Sequence, residues 1–109
     1  YQMVLHYTRR ELAPYFQVNQ EIHEKILEAA ANPLLLKMYQ TLAGRIRRAR
    51  YIANMSDERW SQAIAEHEKM LTALSERDGH ALADVLRCHL RNKCETVKTY
   101  LRAEAPANN

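Results

Sequence analysis

Along most of the chain apolar residues recur at alternating spacings of three and four, the period of a helix with one buried face. Three breaks interrupt the pattern. Asn32-Pro33 closes one helix and opens another, because proline suits a first helical position and disfavours helix in the residue before it. Asn54-Met55-Ser56-Asp57 is polar, and Ser56 or Asp57 can cap a new helix. Asp78-Gly79 reads as a helix stop followed by a fresh start. The spacing therefore predicts a short N-terminal helical segment to about His6, then four long helices near 11–31, 33–53, 57–77 and 79–103. Pro14 fits a first turn, so the first long helix is expected to start nearer Ala13 than Glu11. Residues 105–109 read as a frayed, disordered tail. Long helices with tight joins make antiparallel neighbours, so the fold class is all-α, an antiparallel helical bundle.

The inward stripes carry the chemistry. They read Leu12, Phe16, Asn19, His23, Ile26, Ala30; then Leu35, Met38, Leu42, Arg45, Ala49, Ile52; then Trp60, Ile64, His67, Leu71, Leu74; and last Leu82, Leu86, His89, Lys93, Val97. Each starts apolar and has a polar residue near its middle. Asn19, His23, Arg45, His67 and His89 are thus expected to face one interior. A single buried histidine is usually a core residue bonded to a backbone carbonyl. Three on three helices, with an arginine, would each cost on the order of several kcal/mol without partners. A shared divalent ion such as Zn²⁺ or Ni²⁺ is the economical answer, with three imidazoles and one oxygen donor leaving positions for water or a ligand. Facing side chains of a bundle are a common framework for such sites.

Composition narrows the class. Two glycines and three prolines in 109 residues are too few for the turns of an all-β fold. The length allows one ordinary domain, and an apolar fraction of 47% fits a globular one. No apolar run approaches the ~20 residues of a membrane span. Tyr1 stands first, with no Met and no leader, so a fragment of a longer protein is expected. Cys88 and Cys94 lie about 240° apart on one helix at ~100° per residue, so they cannot pair with each other. Two reduced thiols in a cytoplasmic protein are expected.

Other residues take blander roles. His6 and His80 are not expected to be ligands. Trp60 and Phe16 are expected core anchors. Tyr39 and Tyr51 can line a cavity or an interface. Cys88 points away from the face of His89. A metalloenzyme needs a general base, and Glu66 lies ~100° round the helix from His67, with Glu21 likewise off the face. Arg45, Arg47, Arg48 and Arg50 could suggest a nucleic-acid face. However, the net charge is only +3, and no stacking aromatics interleave with the arginines.

The run Asn19-Gln20-Glu21-Ile22-His23, followed by Ala29, Ala30, Asn32-Pro33 and Leu35, resembles the "D/N-x-x-F/I-H…N-P-x-L" signature of the FCD domain. That is the C-terminal effector domain of FadR-type GntR transcription regulators of bacteria. The likeness continues through Leu42 and Arg45 to Arg50, then Arg59-Trp60, Glu66-His67, Arg77-Asp78, Leu82, Leu86 and His89-Leu90. It implies a helical bundle over residues 1–104, with the first helix of the domain truncated. It also implies a divalent metal on Asn19, His23, His67 and His89. A small organic acid would meet Arg45, with Arg50 second. A homodimer would then transmit the signal to DNA through an N-terminal winged helix-turn-helix, which this chain lacks.

Many members of the family have Asp where this chain has Asn19. A neutral carboxamide leaves the ion more of its charge, which favours an anionic effector and weakens metal retention. The expected role is a non-enzymatic effector-sensing domain. The alternatives are a metal-free dimerisation or ligand-binding module of the same family, or a small helical metalloenzyme.

Overall fold

A computed structural model describes residues 1–52 and 56–105, the side chain of Ile52 excepted. The fold is all-α, with α1 Gln2–Thr8, α2 Leu12–Ala29, α3 Pro33–Ile52, α4 Asp57–Ser75 and α5 Gly79–Glu104. These follow the predicted segments within a residue or two at most ends. Asn54 and Met55 of the second break, and tail residues 106–109, lie outside the described residues. None of the described helices is long and apolar enough to cross a membrane.

The helix ends explain how so few glycines suffice. Arg10, Ala31 and Arg77 adopt left-handed backbone conformations, with φ of 58°, 53° and 57°. After α4 the Arg77 amide bonds to the Leu74 carbonyl at 3.1 Å and the Asp78 amide to the Ala73 carbonyl at 2.9 Å. That paired reach-back is a Schellman motif, and it occupies carbonyls the helix would otherwise leave open. The same pair follows α1, from Arg10 to Tyr7 and from Glu11 to His6. The predicted stop at Asp78-Gly79 is therefore displaced by a residue or two. Arg77 makes the reversal, and Asp78 starts α5 by accepting from the Ala81 amide at 2.9 Å. Ser56 caps α4 through the Arg59 amide at 3.2 Å. Asn32 caps α3 through the Leu35 amide at 3.1 Å, with Pro33 at the first helical position.

The chain divides into two compact units, Tyr1–Tyr51 and Ile52–Asn109. In the first, α1 packs on α2 and buries Met3, Tyr15 and Phe16. Tyr51 of α3 meets Phe16 edge-on, with ring centres 5.4 Å apart. His6 donates from Nδ1 to Glu11 at 2.6 Å, across the join between α1 and α2.

In the second unit α4 and α5 form a hairpin joined by three residues, Glu76 to Asp78. Trp60, Ala63, Ile64, Met70 and Ala73 are its buried apolar residues. Burying side chains such as Ile64 and Met70 contributes roughly 1.5–3 kcal/mol each.

Two expected stripes need correction. On α3, Leu35, Met38 and Leu42 are exposed, and so is Arg45. On α4 the buried face runs through Met70 and Ala73, one residue before the expected Leu71 and Leu74, which are exposed. After His67 the buried face of α4 continues at spacings of three, through Met70 and Ala73, instead of alternating with four.

Candidate metal centre

His67 and His89 lie opposite each other on the buried faces of α4 and α5. His67 Nδ1 meets the carbonyl of Ala63, one turn earlier, at 2.7 Å. A carbonyl only accepts, so Nδ1 must carry the proton and Nε2 the lone pair. His89 has no exposed surface, and its Nδ1 bonds to Glu66 Oε2. An ionised carboxylate also only accepts, so the neutral His89 ring again has its lone pair on Nε2. Both imidazoles are thus held in the same tautomer by a partner on Nδ1. This is the way metal-ligating histidines are commonly oriented from behind.

Glu66 is fixed from three sides. Arg59 donates to both its oxygens at 2.9 Å, and Asn92 Nδ2 donates to Oε1 at 2.8 Å. The bond from His89 completes the set. Burial alone would raise the Glu66 pKa. The hydrogen bonds from Arg59, Asn92 and His89 outweigh it and lower the pKa from 4.5 to about 2, so the carboxylate stays charged. Burial lowers His89 from 6.5 to about 3, with the positive charge of Lys93 adding to the effect. Burial likewise lowers His67, its bond to Ala63 opposing and Lys93 again assisting. Both rings are neutral at physiological pH, which is the state a metal requires.

The His67 and His89 ring centres are 4.7 Å apart, with planes at 78°. Two imidazoles on one ion at ~2.1 Å, subtending roughly 90–110°, would put their centres about 4.5–5.2 Å apart. The α4–α5 hairpin can therefore supply two ligands to a single ion.

In the first unit, α2 carries Asn19 and His23 one turn apart, both buried. Asn19 has no exposed surface. Neither Oδ1 nor Nδ2 has a hydrogen-bond partner among the described residues. An unsatisfied buried polar group costs about 1–3 kcal/mol, so a protein that keeps one has a use for it. A carboxamide oxygen is a competent ligand for a divalent ion. The chain thus holds three buried histidines, His23, His67 and His89, with ring nitrogens suited to a metal.

The arginines are placed differently. Arg45 is exposed and lines an open cleft of about 710 Å³ with Phe16, Arg47, Arg48 and Tyr51. Arg50 is buried, donates from Nη1 to the Tyr39 hydroxyl at 3.0 Å, and lies 5.8 Å from the centre of that ring. Tyr39 is thus a partner of Arg50, and Tyr51 a wall of the cleft. Cys88 and Cys94 are free and exposed, as is His80.

The chain is all-α, with a buried histidine pair oriented by the Ala63 carbonyl and the Glu66 carboxylate. The FCD domain matches residues 1–92, and the chain belongs to that family. No curated protein and no solved structure matches the chain significantly.

Sequence reasoning put Glu66 off the histidine face and gave Arg59 and Asn92 no role. The ~100° between Glu66 and His67 is real, but it turns Glu66 toward α5, where its long side chain reaches His89. The signal was present in the spacing. Arg59 lies two turns before Glu66, and Asn92 nearly one turn after His89, on the facing flanks of one hairpin.

Proposed function

We propose that the chain is the effector-sensing domain of a GntR-family transcription regulator, and that it holds one divalent ion through Asn19, His23, His67 and His89. A small carboxylate ligand completes the coordination. Bound metal would supply a Lewis-acidic anchor for that carboxylate. The residues of the chain orient the anchor and select what reaches it.

The observation that carries the reading is the orientation of His67 and His89 from behind, by Ala63 and Glu66 respectively. The Asn19 carboxamide, without a hydrogen-bond partner among the described residues, and the family membership point the same way. Arg45 is proposed to meet the ligand's carboxylate as a bidentate clamp, with Arg50 second. A homodimer would pass the change to a DNA-binding domain of the same regulator. Glu66 could serve a metalloenzyme as base only if it were free. It is engaged by Arg59, Asn92 and His89, which favours sensing over catalysis.

The test compares melting temperatures with and without a panel of small organic acids. A ligand is expected to raise the melting temperature of metal-loaded protein and to leave EDTA-treated protein unchanged. Equal shifts in both samples would sink the metal-bridged reading.

A further inference from the structure

Helix α3 carries an apolar face that the described residues leave open. Leu34, Leu35, Met38, Leu42 and Ile46 are each between 44% and 67% exposed. At ~100° per residue they fall within an arc of about 120°. Single exposed leucines are ordinary on a protein surface, but a continuous row over about three turns marks an interaction site. The other side of α3 is the inner one. Arg50 is buried there against Tyr39, and Leu36 and Ala43 are half-buried. The helix thus has a packed side of its own, and the exposed row is an additional one.

Charge decides what kind of partner fits. α3 holds five basic residues, Lys37, Arg45, Arg47, Arg48 and Arg50, and no acidic one. Lys37 and Arg48 lie along one edge of the apolar row, about 16 Å apart along the axis. Both are exposed, and neither has a carboxylate partner among the described residues. The other edge turns into the inner side, beside Tyr39 and Arg50. A second copy of the chain fits poorly, because pairing two α3 helices sets five cations against five. An anionic bilayer fits poorly too. A helix lying in a bilayer interface needs both flanks of its apolar face free, and here one flank is taken by the protein's own packing. A partner helix needs only the row and one edge.

We propose that the exposed face of α3 docks an amphipathic helix of a partner protein, one whose apolar row is edged by acidic residues. Leu35, Met38, Leu42 and Ile46 pack against the partner's apolar row and supply affinity. Lys37 and Arg48 meet carboxylates about three turns apart and fix the register. The proposal draws on none of the metal-ligand residues. The homodimer proposed above then forms through another face.

The probes are three fluorescein-labelled helical peptides that share one leucine row and carry glutamate, glutamine or lysine along its edge. Binding to the full chain is followed by anisotropy for wild type, Met38→Gln/Leu42→Gln, Lys37→Glu/Arg48→Glu and the control Arg91→Glu, at an exposed position of α5. Wild type is expected to bind the glutamate peptide about tenfold more tightly than the glutamine peptide, and the lysine peptide least. Met38→Gln/Leu42→Gln should weaken the glutamate peptide by about tenfold. Lys37→Glu/Arg48→Glu should reverse the order and bind the lysine peptide best, a gain that misfolding cannot produce, while Arg91→Glu should keep the wild-type order. Equal affinity of wild type for the three peptides, or an unreversed order in Lys37→Glu/Arg48→Glu, overturns the proposal. Two other results also overturn it. Co-sedimentation with phosphatidylserine–phosphatidylcholine vesicles that Met38→Gln/Leu42→Gln abolishes would give the face to a bilayer. Self-association in equilibrium sedimentation that the same variant abolishes would give it to a second copy.

Discussion

Glu66→Gln tests the network behind the histidines with two readouts. The substitution keeps the shape of the side chain and removes its charge. In the folded protein that charge accepts two bonds at 2.9 Å from Arg59 and one at 2.8 Å from Asn92, besides the bond from His89. The Arg59 and Glu66 side chains are 6% and 12% exposed, so the guanidinium cannot turn to water when its partner is neutralised. Breaking one side of a buried pair costs about 3–5 kcal/mol. A glutamine oxygen can still accept, so the lower end, about 3 kcal/mol, is expected for metal-free protein. At ~4–8 °C per kcal/mol for a domain of this size, the melting temperature falls by roughly 12–24 °C. Metal affinity falls as well, because His89 loses the partner that fixes its ring. Such losses run about 10–100-fold, or ~1.4–2.7 kcal/mol.

Urea unfolding in EDTA measures the stability change. Competition for Zn²⁺ and Ni²⁺ against a chromophoric chelator, run cold enough to keep the variant folded, measures the affinity change. Glu21→Gln, at an exposed position of α2, is the matched control and should alter neither quantity. The reasoning fails if folded Glu66→Gln binds metal within twofold of wild type. It fails also if metal-free stability moves by less than about 1 kcal/mol, the size of an ordinary surface change.

Three further outcomes follow from the same geometry. Below pH ~6.5 the metal-free protein should lose stability, because the unfolded chain takes up protons that buried His89, lowered from 6.5 to about 3, and His67, also lowered, resist. The slope reaches about 1.4 kcal/mol per pH unit per histidine, and Glu66, lowered to about 2, extends the loss in the same direction below pH 4.5. Urea midpoints that stay flat between pH 7 and pH 5 would refute the buried neutral pair. Asn19→Asp should tighten Zn²⁺ binding by roughly tenfold in chelator competition and weaken binding of a small carboxylate, since a carboxylate ligand answers charge that a carboxamide leaves; weaker Zn²⁺ binding would remove residue 19 from the ligand set. Arg77→Gly should raise the melting temperature by roughly 2–8 °C, because a left-handed turn costs an L-residue about 1–2 kcal/mol and glycine returns part of that in entropy. A lower melting temperature would show that the Arg77 side chain supports the turn in a way its backbone does not reveal.

The helices were legible in the sequence because their signals are local. Asn32, Ser56 and Asp78 act through bonds spanning three residues, and all three cap helices at the breaks the pattern marked. The turn after α4 was read one step late, since glycine is the usual left-handed residue and here Arg77 takes that conformation. Histidine burial was legible too, because His23, His67 and His89 each stand on the same face as buried residues one turn away, Asn19, Ala63 and Lys93. The arginine was not. Arg45 falls on a stripe whose apolar members are themselves exposed, so periodicity gave no information about which way that helix faces. Glu66 was missed for a different reason. Angular position describes where a side chain leaves the helix, and the reach of a glutamate to a neighbouring helix depends on packing that no single-helix pattern contains.

The measurement that bears most directly on the central claim is anomalous X-ray scattering from crystals of the protein grown with Zn²⁺, collected on both sides of the zinc absorption edge. The account predicts one strong peak at ~2.0–2.1 Å from Nε2 of both His67 and His89, with Nδ1 of each ring still on Ala63 and Glu66. Zinc bound only at surface groups, with the two Nε2 atoms making contacts to protein alone, would contradict it.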